Sequence, residues 1–272
     1  MESTIVTELA SSQIPTVLSA IEAATHHVIE QLLQRPAAWW NEPSELQGWS
    51  RRVVLAHLHY GAQANRAVTL AALDGRSEPF YPGGDAQRMR TLIALDDRPL
   101  GLVASEVIDQ AERLAELWRS LDDEQWRIPV DEPRLGPVTV ARFAALRLTE
   151  VEVHGTDLGA GRRWSDAFVR HLLPLRVAWL PRQHRRFDAD LTVRARWYLA
   201  GDRCGWLIEA DDGHVSIAPH PLEAELPPTT YRIGGTDRAA LAVVLGRMEA
   251  APDPSLVQGH GTALFRSAFP GP

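Results

Sequence analysis

His57, Glu150 and His154 are side chains of the kind that hold a divalent metal, and the sequence around them places them on two separate helices. Glu150 and His154 are four residues apart, so a helix stacks them on one face, one turn above the other. A third ligand from a neighbouring helix completes a set of two imidazoles and one carboxylate. Such a set leaves coordination positions open, which is what separates a catalytic metal from a structural one. The helical projection sharpens the point. Phe143, Leu146, Glu150, Val153 and His154 share one face, so a carboxylate and an imidazole interrupt an apolar stripe. A buried ionised carboxylate is costly unless it is paired or coordinates a metal. His57 projects with Val53, Val54, Gly61, Ala64 and Val68, where the small residues let another helix come close, whereas His59 points elsewhere. Glu22 and His26 repeat the same spacing nearer the edge of the first helix's apolar stripe, and they form an internal control. Most pairs with this spacing are surface ion pairs or capped core histidines.

The elements that must position these residues fall into two halves. From Ser11 to about Arg186 the apolar period is helical. One helix is expected from near Ile14 to Leu33, and a second from an N-cap at Ser50 to about Leu73, before Asp74-Gly75. A third covers Ala86 to Leu121 with an interruption around Asp96 to Pro99, since proline disfavours helix in the residue before it. A fourth runs from near Thr139 to Leu158, and a fifth from Ser165 to near Phe187. Long helices in succession argue for an up-and-down bundle. After Asp188 the period becomes that of strands: Leu191 to Trp197, Trp206 to Ala210, His214 to Ala218 and Thr229 to Ile233, with a hairpin turn at Asp211-Asp212-Gly213. A helix from Arg238 to Met248 follows, capped by Thr236-Asp237. The expected fold class is therefore α+β, with a helical metal-binding domain over residues 1–187 and a small α+β domain over residues 188–272.

Composition narrows the function classes. The chain has 272 residues and a net charge of −7, with no basic block interleaved with aromatics, so no nucleic-acid partner is expected. No stretch has the length of a membrane span and the first residues lack the basic and apolar regions of a signal peptide, so the expected compartment is the cytoplasm. Cys204 is the single cysteine, which excludes an intrachain disulfide and a cysteine-based zinc knuckle. In its strand-like setting it reads as a small buried hydrophobe and not as a nucleophile. All 28 basic residues are arginine, the mark of a GC-rich genome.

The segments Gly48-Trp49-Ser50 to Ala56-His57-Leu58 and Arg147-x-x-Glu150-x-x-x-His154-x-x-Asp157-Leu158 resemble the mycothiol-dependent maleylpyruvate isomerase family, which belongs to the DinB-like four-helix-bundle superfamily. The resemblance extends to Gly235-Thr236-Asp237 through Leu245-Gly246-Arg247, similar to the family's small C-terminal domain. It implies that His57, Glu150 and His154 bind a divalent metal, usually zinc, beside a site for the thiol cofactor mycothiol, with His57 essential to catalysis. Arg247 matches an arginine of the family's tail motif and is expected to bind a substrate or cofactor carboxylate, with a solvated helix-terminal arginine as the alternative. Arg147 and Asp157 flank the metal pair by one turn each, and helix-surface roles are expected for both, with support of the metal-bound histidines as the alternative. Trp39, Trp40, Trp49, Trp164 and Trp179 read as core or interface packing.

The chemistry expected from this set is activation of an external thiol. A free thiol is mostly protonated at neutral pH, and coordination by a divalent cation removes its proton. The expected function is a mycothiol-dependent S-transferase, in which the metal-bound thiolate attacks a small electrophile. Alternatives are a maleylpyruvate-type cis–trans isomerase, a metal-dependent hydrolase whose bound water attacks, and a non-catalytic binding or sensor protein. The expected partners are mycothiol and the electrophile, with the chain acting as a monomer or homodimer.

Overall fold

The computed structural model describes residues 9–96, 98–132, 136–159, 161, 163–186, 188–248, 251 and 253–270. Its elements in order are α1 (Ile14–Gln34), α2 (Ala37–Asn41), α3 (Arg51–Leu73), α4 (Gly84–Asp96), α5 (Leu100–Ser120), α6 (Asp123–Trp126), β1 (Pro129–Glu132), β2 (Gly136–Thr139), α7 (Val140–Asp157) and α8 (Asp166–Arg186). These are followed by β3 (Ala195–Ala200), β4 (Gly205–Asp211), β5 (His214–His220), β6 (Thr230–Gly234), α9 (Asp237–Leu245) and α10 (His260–Ala268). The long helices end where local chemistry ends them. Ser50 accepts a hydrogen bond from Val53 N at 3.2 Å to open α3, and Gly75, at φ 68°, follows its last turn. The expected break in the third helix is real: α4 stops at Asp96 and α5 starts after Pro99. Asp97, within that break, lies outside the described residues.

Two compact units divide between Phe168 and Val169. The first is a four-helix bundle of α1, α3, α5 and α7. Its ring order is α1–α7–α3–α5, so α1 and α3, successive long helices in the chain, lie on a diagonal. The two helices carrying the candidate ligands, α3 and α7, are ring neighbours, and α4 packs against α3. Fully buried Trp118 and Phe143 fill the interior, and Trp118 Nε1 donates to Thr69 Oγ1 at 3.1 Å. A short antiparallel hairpin, β1 with β2, precedes α7 and was not expected from the helical period of this half.

The second unit holds a four-stranded sheet in the order β5-β4-β3-β6, with β3 and β6 parallel and the other neighbours antiparallel. Asp212 (φ 48°) and Gly213 (φ 78°) make the expected tight turn between β4 and β5. The first expected strand begins later than its alternation suggested, at Ala195, and α9 stops early because Gly246 takes the left-handed conformation at φ 68°. α8 spans the division between units. Its far end is tied into the second unit: Gln183 Nε2 donates to Phe269 O at 3.1 Å, and His184 Nδ1 lies 2.7 Å from Ala268 O. The division into units thus falls before most of α8. The 187/188 position marks the change of backbone period, and Phe187 itself lies outside the described residues.

Two side-chain bonds set α3 and α7 in register, and a backbone bond from the loop before α3 supports them. Arg147, only 3% exposed, donates from Nη1 to the carbonyl of Leu58 at 2.8 Å. Arg51 donates from Nε to Leu158 O at 2.9 Å and from Nη1 to Trp39 O at 3.0 Å, tying the end of α7 to the start of α3. Glu45 N donates to Asp157 O at 2.8 Å. Gly61 lies against the Arg147 bond: a Cβ there would stand 3.4 Å from Arg147 Nη1, in van der Waals contact, and a larger side chain would collide. Gly61→Ala should melt at or slightly above the wild-type temperature, since helix propensity offsets a contact at ordinary van der Waals range. Gly61→Leu should lose about 1–3 kcal/mol by overpacking against Arg147. Thermal melts followed by circular dichroism test the pair, and equal melting of both variants would refute the close approach.

Candidate metal centre

His57, Glu150 and His154 offer ligand atoms that all lie within 4.8 Å of one another. His57 comes from α3, one turn before Gly61. Glu150 and His154 come from successive turns of α7. His57 Nε2 faces Glu150 Oε2 in a short contact, and His154 Nε2 stands 3.6 Å from the same oxygen. The imidazole rings meet edge to face, with centroids 4.7 Å apart. His57 is buried, and the Glu150 side chain is 32% exposed although its Oε2, the oxygen facing both histidines, is itself buried. Two imidazole nitrogens and a carboxylate oxygen converging in this way are a donor set suited to zinc and similar divalent metals. Among the described residues, no other group of three histidines, cysteines or carboxylates converges like this.

The electrostatics fit that donor set. Burial pushes the Glu150 carboxyl upward, but the neighbouring His57, His154 and Arg147 outweigh it and hold the group well below its ordinary value. Burial also lowers His57, partly offset by Glu150, while His154 and Arg88 lower it further. Glu150 is therefore ionised and His57 neutral at pH 7, the protonation states in which both can act as ligands. Burial pushes Arg147 down to about 10, against the pull of Glu150 and Tyr81.

Several surrounding residues take roles that differ from the sequence expectation. Asp157, expected on the helix surface, is 1% exposed, and its Oδ2 lies 2.9 Å from His154 Nδ1. A carboxylate there accepts the Nδ1–H and turns the Nε2 lone pair inward, the usual support of a metal-binding histidine. Arg147 is likewise buried, because it bridges to α3 and faces Glu150. Trp49 packs against the cluster itself, its ring stacked on His154 at 6.5 Å and edge-on to His57 at 5.7 Å. Arg88, on α4, was not singled out by the sequence, and its Nη2 is 3.2 Å from His57 Nδ1. One arginine among 28 carries no local signal of such a position. The control pair behaves as a surface pair: Arg119 binds Glu22 at 2.8 Å, and His26 faces Glu30 at 3.3 Å. Arg247 lies in the second unit just after α9, half-buried, and donates from Nη1 to Leu245 O at 3.3 Å.

Residues 21–159 match the family model described as the mycothiol maleylpyruvate isomerase N-terminal domain. The crystal structure of the mycothiol-dependent maleylpyruvate isomerase superposes with a TM-score of 0.66 at 19% identity, covering 86% of this chain and 89% of that one. A single-substitution mutant of the same enzyme superposes with a TM-score of 0.66 at 18% identity and the same coverage. These likenesses show a shared fold. No curated protein matches the chain by sequence.

Two outcomes follow from the geometry. His154→Ala should abolish or greatly weaken metal retention, and Asp157→Asn should weaken metal affinity by about 10–100-fold. Glu22→Ala and His26→Ala should leave it unchanged. Elemental analysis and metal titration read all four, and equal losses in both sets would remove the site from α3 and α7. The second outcome concerns pH. Both Glu150 and His57 have folded-state values below their ordinary 4.5 and 6.5, so the unfolded chain binds more protons and stability rises with pH. The His57 contribution should be present above pH 6.5 and lost as pH falls below it. In metal-free protein, His57→Leu should flatten the dependence of denaturant midpoint on pH immediately below 6.5, and an unchanged slope would refute the assignment.

Proposed function

The chain belongs to the mycothiol maleylpyruvate isomerase N-terminal domain family, and from that premise we propose that it is a mycothiol-dependent metalloenzyme acting on a small electrophile. The observation that carries this reading is the convergence of His57, Glu150 and His154, with an ionised carboxylate and neutral imidazole. A divalent cation held by these three residues, with zinc as the proposed ion, would supply the positive charge that keeps a thiol deprotonated at neutral pH. The protein's own residues do the rest. His57 and His154 present nitrogens, Glu150 lowers the net charge of the site by one, and Asp157 orients His154. Trp49 walls the cluster across both imidazoles and limits how an incoming group can approach. Arg247 is proposed to bind an anionic group of the substrate or the thiol.

The nucleophile is assigned to an external thiol because the protein's own is poorly suited. Cys204 is exposed in the turn before β4, not buried in a strand as its sequence setting suggested, and partial desolvation, with Asp237 second, still raises its thiol above the ordinary value, so it is protonated at neutral pH. The proposed reaction is addition of the thiolate to an electrophilic carbon, with a proton delivered to the displaced electron pair, and the S-conjugate is the product of transfer. Cis–trans isomerisation is the second reading, favoured by the activity of the enzyme with which the chain shares its fold. It begins with the same addition to a carbon–carbon double bond, followed by rotation and return of the thiol.

Activity should require added mycothiol and should survive Cys204→Ser. Incubation with mycothiol and candidate electrophiles, followed by thiol titration and mass spectrometry, separates the readings. Stoichiometric thiol consumption with a conjugate mass marks S-transfer. Substrate isomerised with thiol conserved marks an isomerase. Full turnover without thiol would sink both and promote hydrolysis.

A further inference from the structure

Arg88 projects from α4 to the far side of the His57 ring from Glu150. Its Nη2 is 3.2 Å from His57 Nδ1, and its guanidinium carbon lies 5.1 Å from the centroid of the Tyr81 ring. A guanidinium has five donors, no acceptor, and a charge it does not lose in proteins. The contact is therefore a hydrogen bond only when His57 Nδ1 offers a lone pair. In a neutral imidazole the proton then sits on Nε2, directed at Glu150 Oε2. His154 is arranged the opposite way. Its Nδ1 faces the carboxylate of Asp157, so its proton is there and its Nε2 lone pair faces the cluster. One histidine is thus set as a ligand, and the other is held in the tautomer that cannot ligate through Nε2.

Arg88 has no carboxylate partner among the described residues. Its recorded contacts among them are His57 and the Tyr81 ring, and its Nε is buried without a hydrogen-bond partner. A buried donor without a partner is costly, and the Arg88 Nε is one that stands beside the cluster.

We infer that Arg88 is an anion-recognising residue of this site, hydrogen-bonded to His57 and released when His57 becomes a ligand, so that its donor fork can take a carboxylate of the incoming electrophile. The inference rests on the metalloenzyme reading above. For His57 to ligate through Nε2, its proton must move to Nδ1, with no net gain or loss of protons. Nδ1–H and the guanidinium would then be two donors facing each other, and Arg88 must turn away. The coupling is reciprocal: an anion that engages Arg88 also favours the ligating tautomer of His57. Planar two-point recognition of a carboxylate is what a guanidinium does better than an ammonium.

The experiment titrates zinc into metal-free wild type, Arg88→Ala and Arg88→Lys against a chromophoric competing chelator. Succinate, as a plain dicarboxylate probe, is then titrated calorimetrically into each zinc-loaded protein. Melting curves establish that the variants are folded. Arg88→Ala should bind zinc about tenfold more tightly, the size of effect expected from losing one hydrogen bond to a charged group. It should also lose succinate binding, which Arg88→Lys restores in part. Zinc affinity that is unchanged or weaker in a folded Arg88→Ala, beside normal binding by wild type, overturns the inference. Undiminished succinate binding by Arg88→Ala overturns the anion role. Failure of wild type itself to bind zinc sinks the metal-centre reading, and this inference with it, at a step where the variants play no part.

Discussion

The ionised carboxylate of Glu150, placed between two imidazoles against the interior of a helical bundle, is the constraint around which the first unit is organised. Removing a carboxylate from water costs several kcal/mol unless opposite charge or hydrogen bonds replace the solvent, as generic ions show. Here His57 and His154 face it, and Arg147 adds a fixed positive charge one turn away. That arrangement works only if α3 and α7 are held in one register. The Arg147 bond to the Leu58 carbonyl and the Arg51 bond to Leu158 provide it at two levels of the helix pair.

The same constraint explains why so many charged or polar residues lie inside this bundle. Arg147 satisfies a carbonyl and neutralises Glu150, while Asp157 fixes a histidine tautomer. None of these groups is an efficient way to stabilise a core, because hydrophobic replacements of similar size usually do as well or better. Their presence together is economical only if the cluster has work to do. The asymmetry between the two histidines points the same way. The Nδ1 of His154 faces the Asp157 carboxylate, and that of His57 faces the Arg88 guanidinium.

The second unit follows a simpler logic. α9 is apolar on every side and buried, and it starts with Thr236 capping Ala239 N at 3.1 Å. Asp237, buried beside it, accepts from Asp202 N at 2.9 Å and from Arg203 Nε at 2.6 Å, fixing the β3–β4 turn. Trp197 and Phe265 form an edge-to-face pair with centroids 5.5 Å apart, while Trp197 Nε1 donates to Gly261 O at 2.9 Å. This unit resembles an ordinary small α+β core. Arg247 follows α9 directly, where the left-handed Gly246 turns the chain.

By itself the sequence determined what depends on near neighbours. The helical period, the Ser50 cap, the proline break before α5 and the Asp212-Gly213 turn all arise within a few residues, where backbone sterics and local hydrogen bonds decide. Glu150 and His154 were legible together for the same reason, since a helix places residues four apart on one face. What only the tertiary structure decided is everything that joins distant segments. The α1–α7–α3–α5 ring order brings His57 to Glu150, and periodicity shows which face of a helix is apolar but not which helix that face meets. The burial of Asp157 and Arg147 depends on packing against α3 and the 42–50 loop, and the contact of Arg88 with His57 depends on how α4 lies on α3. An arginine on a weakly patterned helix has the same local environment in sequence whether it faces water or a histidine, and only packing distinguishes the two.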